Sequence, residues 1–289
     1  MVNSTRLLLL TILVAISVGC GSANHGTPPA ASTRVFLVVE ENHSYSDVIG
    51  NSTMPYLNGL ATQYGLATQY YADAHPSIPN YFMLTTGLPE TLDDAFTGTV
   101  SDDNVARELA KAGKTWRSYA ESLPNAGYTG GDVYPYWKHH NPFAYFSNVF
   151  GTSQAGNIVP FSQFSADLAG NTLPDFSFIV PNVLNDAHDG TLATADQWLR
   201  ANIDPLVKSS AFQPGGVLII VFDESLTTDL SHIGGHVPFV IVGPKVKSGY
   251  RSTNFYQHQS TLRLVLSTLG VSSFPGASAA APNMGEFFK

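Results

Sequence analysis

Two acidic pairs follow directly on apolar, β-branched runs. Val35 to Val39 leads into Glu40-Glu41-Asn42-His43-Ser44, and Val217 to Phe222 leads into Asp223-Glu224. If both runs are neighbouring strands, three or four carboxylates and an amide gather at one sheet edge. Such crowding is costly unless a cation neutralises it. Oxygen donors of this kind suit one hard divalent ion, Mg²⁺, Ca²⁺ or Mn²⁺. A single acidic pair would read equally well as helix caps or solvated loop. Two pairs after two apolar runs point to a site.

A second feature is the segment DAHPSIPNYFMLTTG, residues 73–87. Ser77 precedes Ile78-Pro79, and an apolar stretch follows, which marks a helix start. Ser77 is then either a cap or a hydroxyl activated by a neighbouring metal, with the helix end holding a phosphate. The nine histidines form a third feature. His75, His139, His140, His188 and His236 sit among Asp, Asn, Pro and Gly. Such contexts suit phosphate contact or general-acid work.

These residues need a frame. Val35–Val39, Phe176–Val180, Val217–Phe222 and Phe239–Val242 read as strands covered on both faces. Helical spacing appears over 54–64, 104–112, 194–207 and 260–269, with Gly113 and Gly270 as stops. Strands alternating with helices predict an α/β fold, a three-layer αβα sandwich on a mainly parallel sheet. In such sheets chemistry sits beyond the carboxyl ends of the strands. The aromatic segment from Tyr128 to Phe146 reads first as core and second as a substrate entrance.

The 289-residue chain carries 14 basic and 22 acidic residues, a net charge of −8, and 44% hydrophobic residues. That supports a folded core and excludes disorder. Scattered basic residues on an acidic chain exclude a nucleic-acid partner. One cysteine, Cys20, excludes a disulfide framework and thiolate zinc sites. Arg6, the apolar run Leu7–Val18 and small residues up to Cys20 read as a secretory signal over residues 1–20. Gly19-Cys20 resembles a bacterial lipoprotein signal, so the expectation is export to the periplasm or cell surface, with a lipid anchor on Cys20, or secretion. Residues 21–33 read as a flexible tether, and 34–289 as one catalytic domain.

Taken in order, EENHS at 40–44, Ser77-Ile78-Pro79-Asn80, HNPFAYF at 140–146, PNVLNDAHDG at 181–190, VFDES at 221–225 and GGHVP at 234–238 resemble a known set. It is that of the bacterial phosphoesterase family of acid phosphatases and phospholipases C, in the alkaline-phosphatase-like superfamily. The resemblance implies Ser77 as a nucleophile forming a phosphoseryl intermediate. It implies a one-metal site of Glu41, Asn42, Asp223, Glu224 and Ser77. Asn80, His140, His188 and His236 would line the phosphate pocket, with His188 or His140 donating to the leaving oxygen. His236 stands where the superfamily often has a metal ligand. The expected protein is an exported phosphomonoesterase acting on a small-molecule or lipid phosphate ester, fastest on the acidic side. The alternatives are a phospholipase C-type phosphodiesterase and a non-catalytic phosphate-binding surface lipoprotein.

Overall fold

The apolar runs become the central strands of one eight-stranded sheet. A computed structural model describes residues 34–289. The expected signal and tether, residues 1–33, lie outside the described residues. The strands are β1 (Val35–Glu40), β2 (Gly65–Ala67), β3 (Trp116–Ala120), β4 (Ile158–Pro160), β5 (Phe176–Val180), β6 (Val217–Phe222), β7 (Phe239–Val242) and β8 (Tyr250–Ser252). Their order is β4-β3-β5-β1-β6-β7-β2-β8. Only β7 runs against the rest. The four strands expected from composition include the central trio β5, β1 and β6, whose residues are all buried.

The strands not expected are short or mixed in polarity. β2, β4 and β8 have three residues each, and β3 reads WRSYA. Their apolar content is too small to signal alone. Pairing to the buried strands forms them.

Helices cover both faces. They are α1 (Tyr45–Val48), α2 (Pro55–Gln63), α3 (Ser77–Met83), α4 (Val105–Lys111), α5 (Ser162–Ala169), α6 (Leu192–Asn202), α7 (Asp204–Lys208) and α8 (His258–Thr268). One helix was expected over 194–207. It divides at Ile203 because Pro205 cannot donate to the preceding turn and instead opens α7. On one face Phe36 packs on Phe164 of α5 and on Phe212. On the other, Phe178 packs on Tyr81 of α3, and α3 and α4 meet α8. The aromatic segment divides in two. Tyr136, Phe143, Tyr145 and Phe146 are buried core, whereas Tyr134 is 62% exposed. Among the described residues no helix is long and apolar enough to cross a membrane.

β1 and β6 are adjacent and parallel, with Glu40 opposite Phe222. Their carboxyl ends therefore deliver Glu41 and Asp223 side by side. The alternation of strand side chains sends Glu40 to the face of Phe36 and Glu41 to the face of α3.

Candidate active site

The site is assembled from the loops after β1, β5 and β6 and from the start of α3. Glu41, Ser77, Asp223 and Glu224 are all buried. The Ser77 hydroxyl lies 3.0 Å from Glu224 Oε1 and 3.2 Å from Glu41 Oε2, able to donate to either. Asn42 takes a left-handed backbone (φ +52°), a conformation Asn tolerates better than most residues. That turn aims its backbone N–H at Asp223 Oδ1, 3.3 Å away. Glu41 Oε1 accepts from the Tyr81 hydroxyl at 2.5 Å. The second oxygen of Glu224 pairs with His75 Nδ1.

Electrostatics show what this arrangement lacks. Burial, then repulsion from Asp223 and Asp186, pushes the Glu41 carboxyl well above its usual range. Burial, then Glu224, pushes Asp223 up to about 8. Asn42 Oδ1 and Asp223 Oδ2 are shielded from solvent and find no hydrogen-bond partner among the described residues. Buried polar atoms are ordinarily satisfied. Unpartnered oxygens beside crowded carboxylates fit a hard divalent cation.

His140 stands behind Glu41, not in an open pocket. It is 1% exposed and stacks on Tyr81, the centroids 5.1 Å apart. Its Nε2 is 3.3 Å from Glu41 Oε1, and its Nδ1 is 3.6 Å from Asp186 Oδ2. Burial, then His139 and His188, holds its pKa well below the usual imidazole value, so the ring is neutral. Glu41, His140 and Asp186 are the one ligand-type trio among the described residues whose donor atoms all lie within 4.8 Å of one another. Asp186 thus belongs to the site, although the sequence reading took only His188 from its motif.

The remaining expected residues divide. His188 is partly exposed, bonds Asp189 Oδ1 at 2.9 Å and stands edge-on to Trp137. Asn80 is committed elsewhere. Its Oδ1 accepts from the backbone of Asp73 and Ala74, and its Nδ2 donates to Ala74 and Pro76. It shapes the 73–76 loop and has no group left for phosphate. His236 is stacked between Tyr45 and Tyr71, 4.3 and 4.8 Å away, outside the carboxylate cluster. Gly235, just before it, has φ +83°, and a Cβ there would sit 1.8 Å from Ser225 Oγ.

Ser77 is not the cap of α3, since Pro76 holds that position and no side chain caps the helix. The phosphate cradle expected at this helix start is largely spent. Ile78 donates its N–H to Asp94 Oδ1 at 3.0 Å, and Pro79 has none. Beneath Asp223 lies a further polar group. His258 Nε2 faces the Asp223 carbonyl at 2.5 Å, and its Nδ1 faces the Tyr70 hydroxyl at 3.0 Å. Burial holds the His258 pKa down to about 4, so this ring is neutral too. Nothing local in sequence links His258 to Asp223. Only the fold brings α8 under β6.

Residues 51–272 match the profile of the Phosphoesterase family. Glu41 and Asn42 precede that span, whereas Ser77, Asp223, Glu224 and His258 lie inside it. A phosphatidylinositol-3-phosphatase of Mycobacterium tuberculosis is 35% identical over 237 residues, covering 80% of this chain and 76% of the relative. A probable acid phosphatase of Kluyveromyces lactis is 32% identical over 252 residues, or 82% of this chain. The chain spans 58% of that yeast protein's length. Among solved structures, an alkaline phosphatase superfamily protein from Vibrio parahaemolyticus superposes with a TM-score of 0.63 at 16% identity. It covers 86% of this chain and 69% of its own. That likeness concerns the fold.

Proposed function

Because the chain belongs to the Phosphoesterase family and is a phosphoric ester hydrolase, we propose that it is a metal-dependent phosphomonoesterase of acid-phosphatase type, with Ser77 as nucleophile. One observation carries the reading. A serine hydroxyl is buried between two carboxylates, 3.0 and 3.2 Å away, beside a third carboxylate held near pKa 8. A structural serine needs neither partner. Both relatives carry phosphatase names, which favours a monoester over the phospholipase C alternative.

Glu41, Asn42, Ser77, Asp223 and Glu224 would hold the cation. When bound, it would offset the carboxylate charge and polarise a phosphate oxygen. The chain's own residues supply the rest. Glu41 and Glu224 accept the Ser77 hydroxyl hydrogen, which leaves an oxygen lone pair for in-line attack on phosphorus. The bond to the leaving alcohol breaks as the phosphoseryl ester forms, and water then hydrolyses that ester. Tyr81 and His140 hold Glu41 in place. The neutral, buried His140 is no proton donor, so protonation of the leaving oxygen falls to the partly exposed His188. A step that needs a protonated donor favours acidic turnover. In the same reading residues 1–20 direct export, and Cys20 carries a lipid anchor.

The test is hydrolysis of p-nitrophenyl phosphate at about pH 6 by residues 24–289, with and without added Mg²⁺ or Mn²⁺, beside Ser77→Ala. The variant should lose about 1,000-fold or more in kcat. Equal turnover by both proteins would remove Ser77 from the chemistry.

A further inference from the structure

Each carboxylate beside Ser77 spends one oxygen on its hydroxyl, Glu41 Oε2 at 3.2 Å and Glu224 Oε1 at 3.0 Å. What holds the other oxygen differs. Glu41 Oε1 accepts from the Tyr81 hydroxyl at 2.5 Å. Glu224 Oε2 is held by His75 Nδ1. A glutamate side chain turns about several bonds, and a contact at one oxygen leaves its carboxylate plane free to swing. A second contact at the other oxygen fixes the plane.

The His75 ring is itself anchored. Its Nε2 faces the Asp229 carbonyl at 3.3 Å, and 17% of the side chain is exposed. That carbonyl also accepts from the Ser225 hydroxyl at 3.1 Å. The Asp229 carboxylate accepts from the backbone N–H groups of Ser231 and His236. The ring is therefore held between Glu224 and the loop after β6. On the other side, His75 shares a loop with Ser77. Asn80 knits that loop together through Asp73, Ala74 and Pro76. The nucleophile and the ring that sets its acceptor are thus fixed as one unit.

We propose that His75 is a positioning residue. Acting through Glu224, it aims the carboxylate that takes the Ser77 hydroxyl hydrogen and that would hold the cation. The inference rests on the phosphomonoesterase reading above and deepens it.

The experiment compares the wild type, His75→Asn and His75→Gln, with folding checked by circular dichroism. Asn places its amide nitrogen near the position of Nδ1 and keeps a donor for Glu224. Gln places its nitrogen near Nε2 and keeps only the contact with Asp229. The readouts are the Kd for Mn²⁺ by electron paramagnetic resonance, and kcat and KM for p-nitrophenyl phosphate. His75→Gln should weaken Mn²⁺ binding about tenfold or more and lower kcat about 10- to 100-fold, with KM changed less than about threefold. His75→Asn should stay within about threefold of the wild type in Kd and kcat. Wild-type values in His75→Gln, or equal losses in both variants, would overturn the role. Urea unfolding in EDTA adds a readout that needs neither turnover nor metal. The stability changes caused by His75→Gln and Glu224→Gln should not add in the double variant. If the wild type neither binds Mn²⁺ nor turns over, the parent reading fails separately. The unfolding cycle then decides the pairing: non-additive changes uphold it, and additive changes overturn it.

Discussion

Replacing Asp73 by Asn should make the protein more stable, and increasingly so as pH rises. Asp73 lies in the loop before Ser77, and burial raises its carboxyl from 3.8 to about 7. The His258 backbone N–H donates to it at 3.2 Å. The Gln259 amide donates at 2.9 Å in the orientation that satisfies both of its ends. These bonds do not offset the desolvation. The folded protein holds a proton that the unfolded chain releases near pH 3.8. Stability from this group is therefore full below pH 3.8 and lost as pH rises through 7. Linkage puts the loss at about 1.7 kcal/mol at about pH 5 and about 4.3 kcal/mol at about pH 8. The difference is about 2.6 kcal/mol. Asn is neutral throughout and keeps the shape. Its oxygen still accepts from His258, and its amide can donate to Gln259 once that side chain turns over. Urea unfolding of both proteins in EDTA gives the measurement. The stability gap between variant and wild type should widen by about 2.6 kcal/mol from about pH 5 to about pH 8. A gap constant to within about 0.5 kcal/mol would refute the buried, proton-holding carboxyl.

Tyr81→Phe removes the 2.5 Å bond to Glu41 and should lower kcat/KM by about 10- to 100-fold while the far-ultraviolet spectrum stays native. His258→Ala strands the Asp223 carbonyl and leaves the Tyr70 hydroxyl with Thr261 Oγ1 alone, and urea unfolding should show a loss of about 2 kcal/mol or more, smaller in His258→Gln. EDTA should abolish turnover of p-nitrophenyl phosphate, and Mg²⁺ or Mn²⁺ should restore it. Full activity after exhaustive chelation would contradict the reading of the crowded carboxylates.

The sequence was most legible where one residue type did one job over several positions. Runs rich in β-branched and aromatic residues marked β1, β5, β6 and β7, because strands covered on both faces are mostly apolar. Adjacency of β1 and β6 then brought Glu41 and Asp223 together, as the acidic pairs suggested. The short strands β2, β4 and β8 exist through pairing and carry no such signal. In the site, side-chain type was legible and side-chain commitment was not. Asn80 looked like a phosphate contact, yet the bends at 73–76 consume all its hydrogen-bonding capacity. His140 looked like a pocket residue, yet it is packed under Tyr81 against Glu41. Tyr81, Asp186 and His258 each reach the cluster from different elements, and their contacts depend on tertiary packing that spacing does not encode. Asp186 alone stood inside a recognised motif, two residues before His188.

Acid quenching during turnover of p-nitrophenyl phosphate, followed by peptide mass spectrometry, tests the central claim most directly. A phosphoryl group on the peptide carrying Ser77, absent in Ser77→Ala together with turnover, is the expected result. Steady turnover with Ser77 unmodified at every quench time, and undiminished in Ser77→Ala, would contradict it.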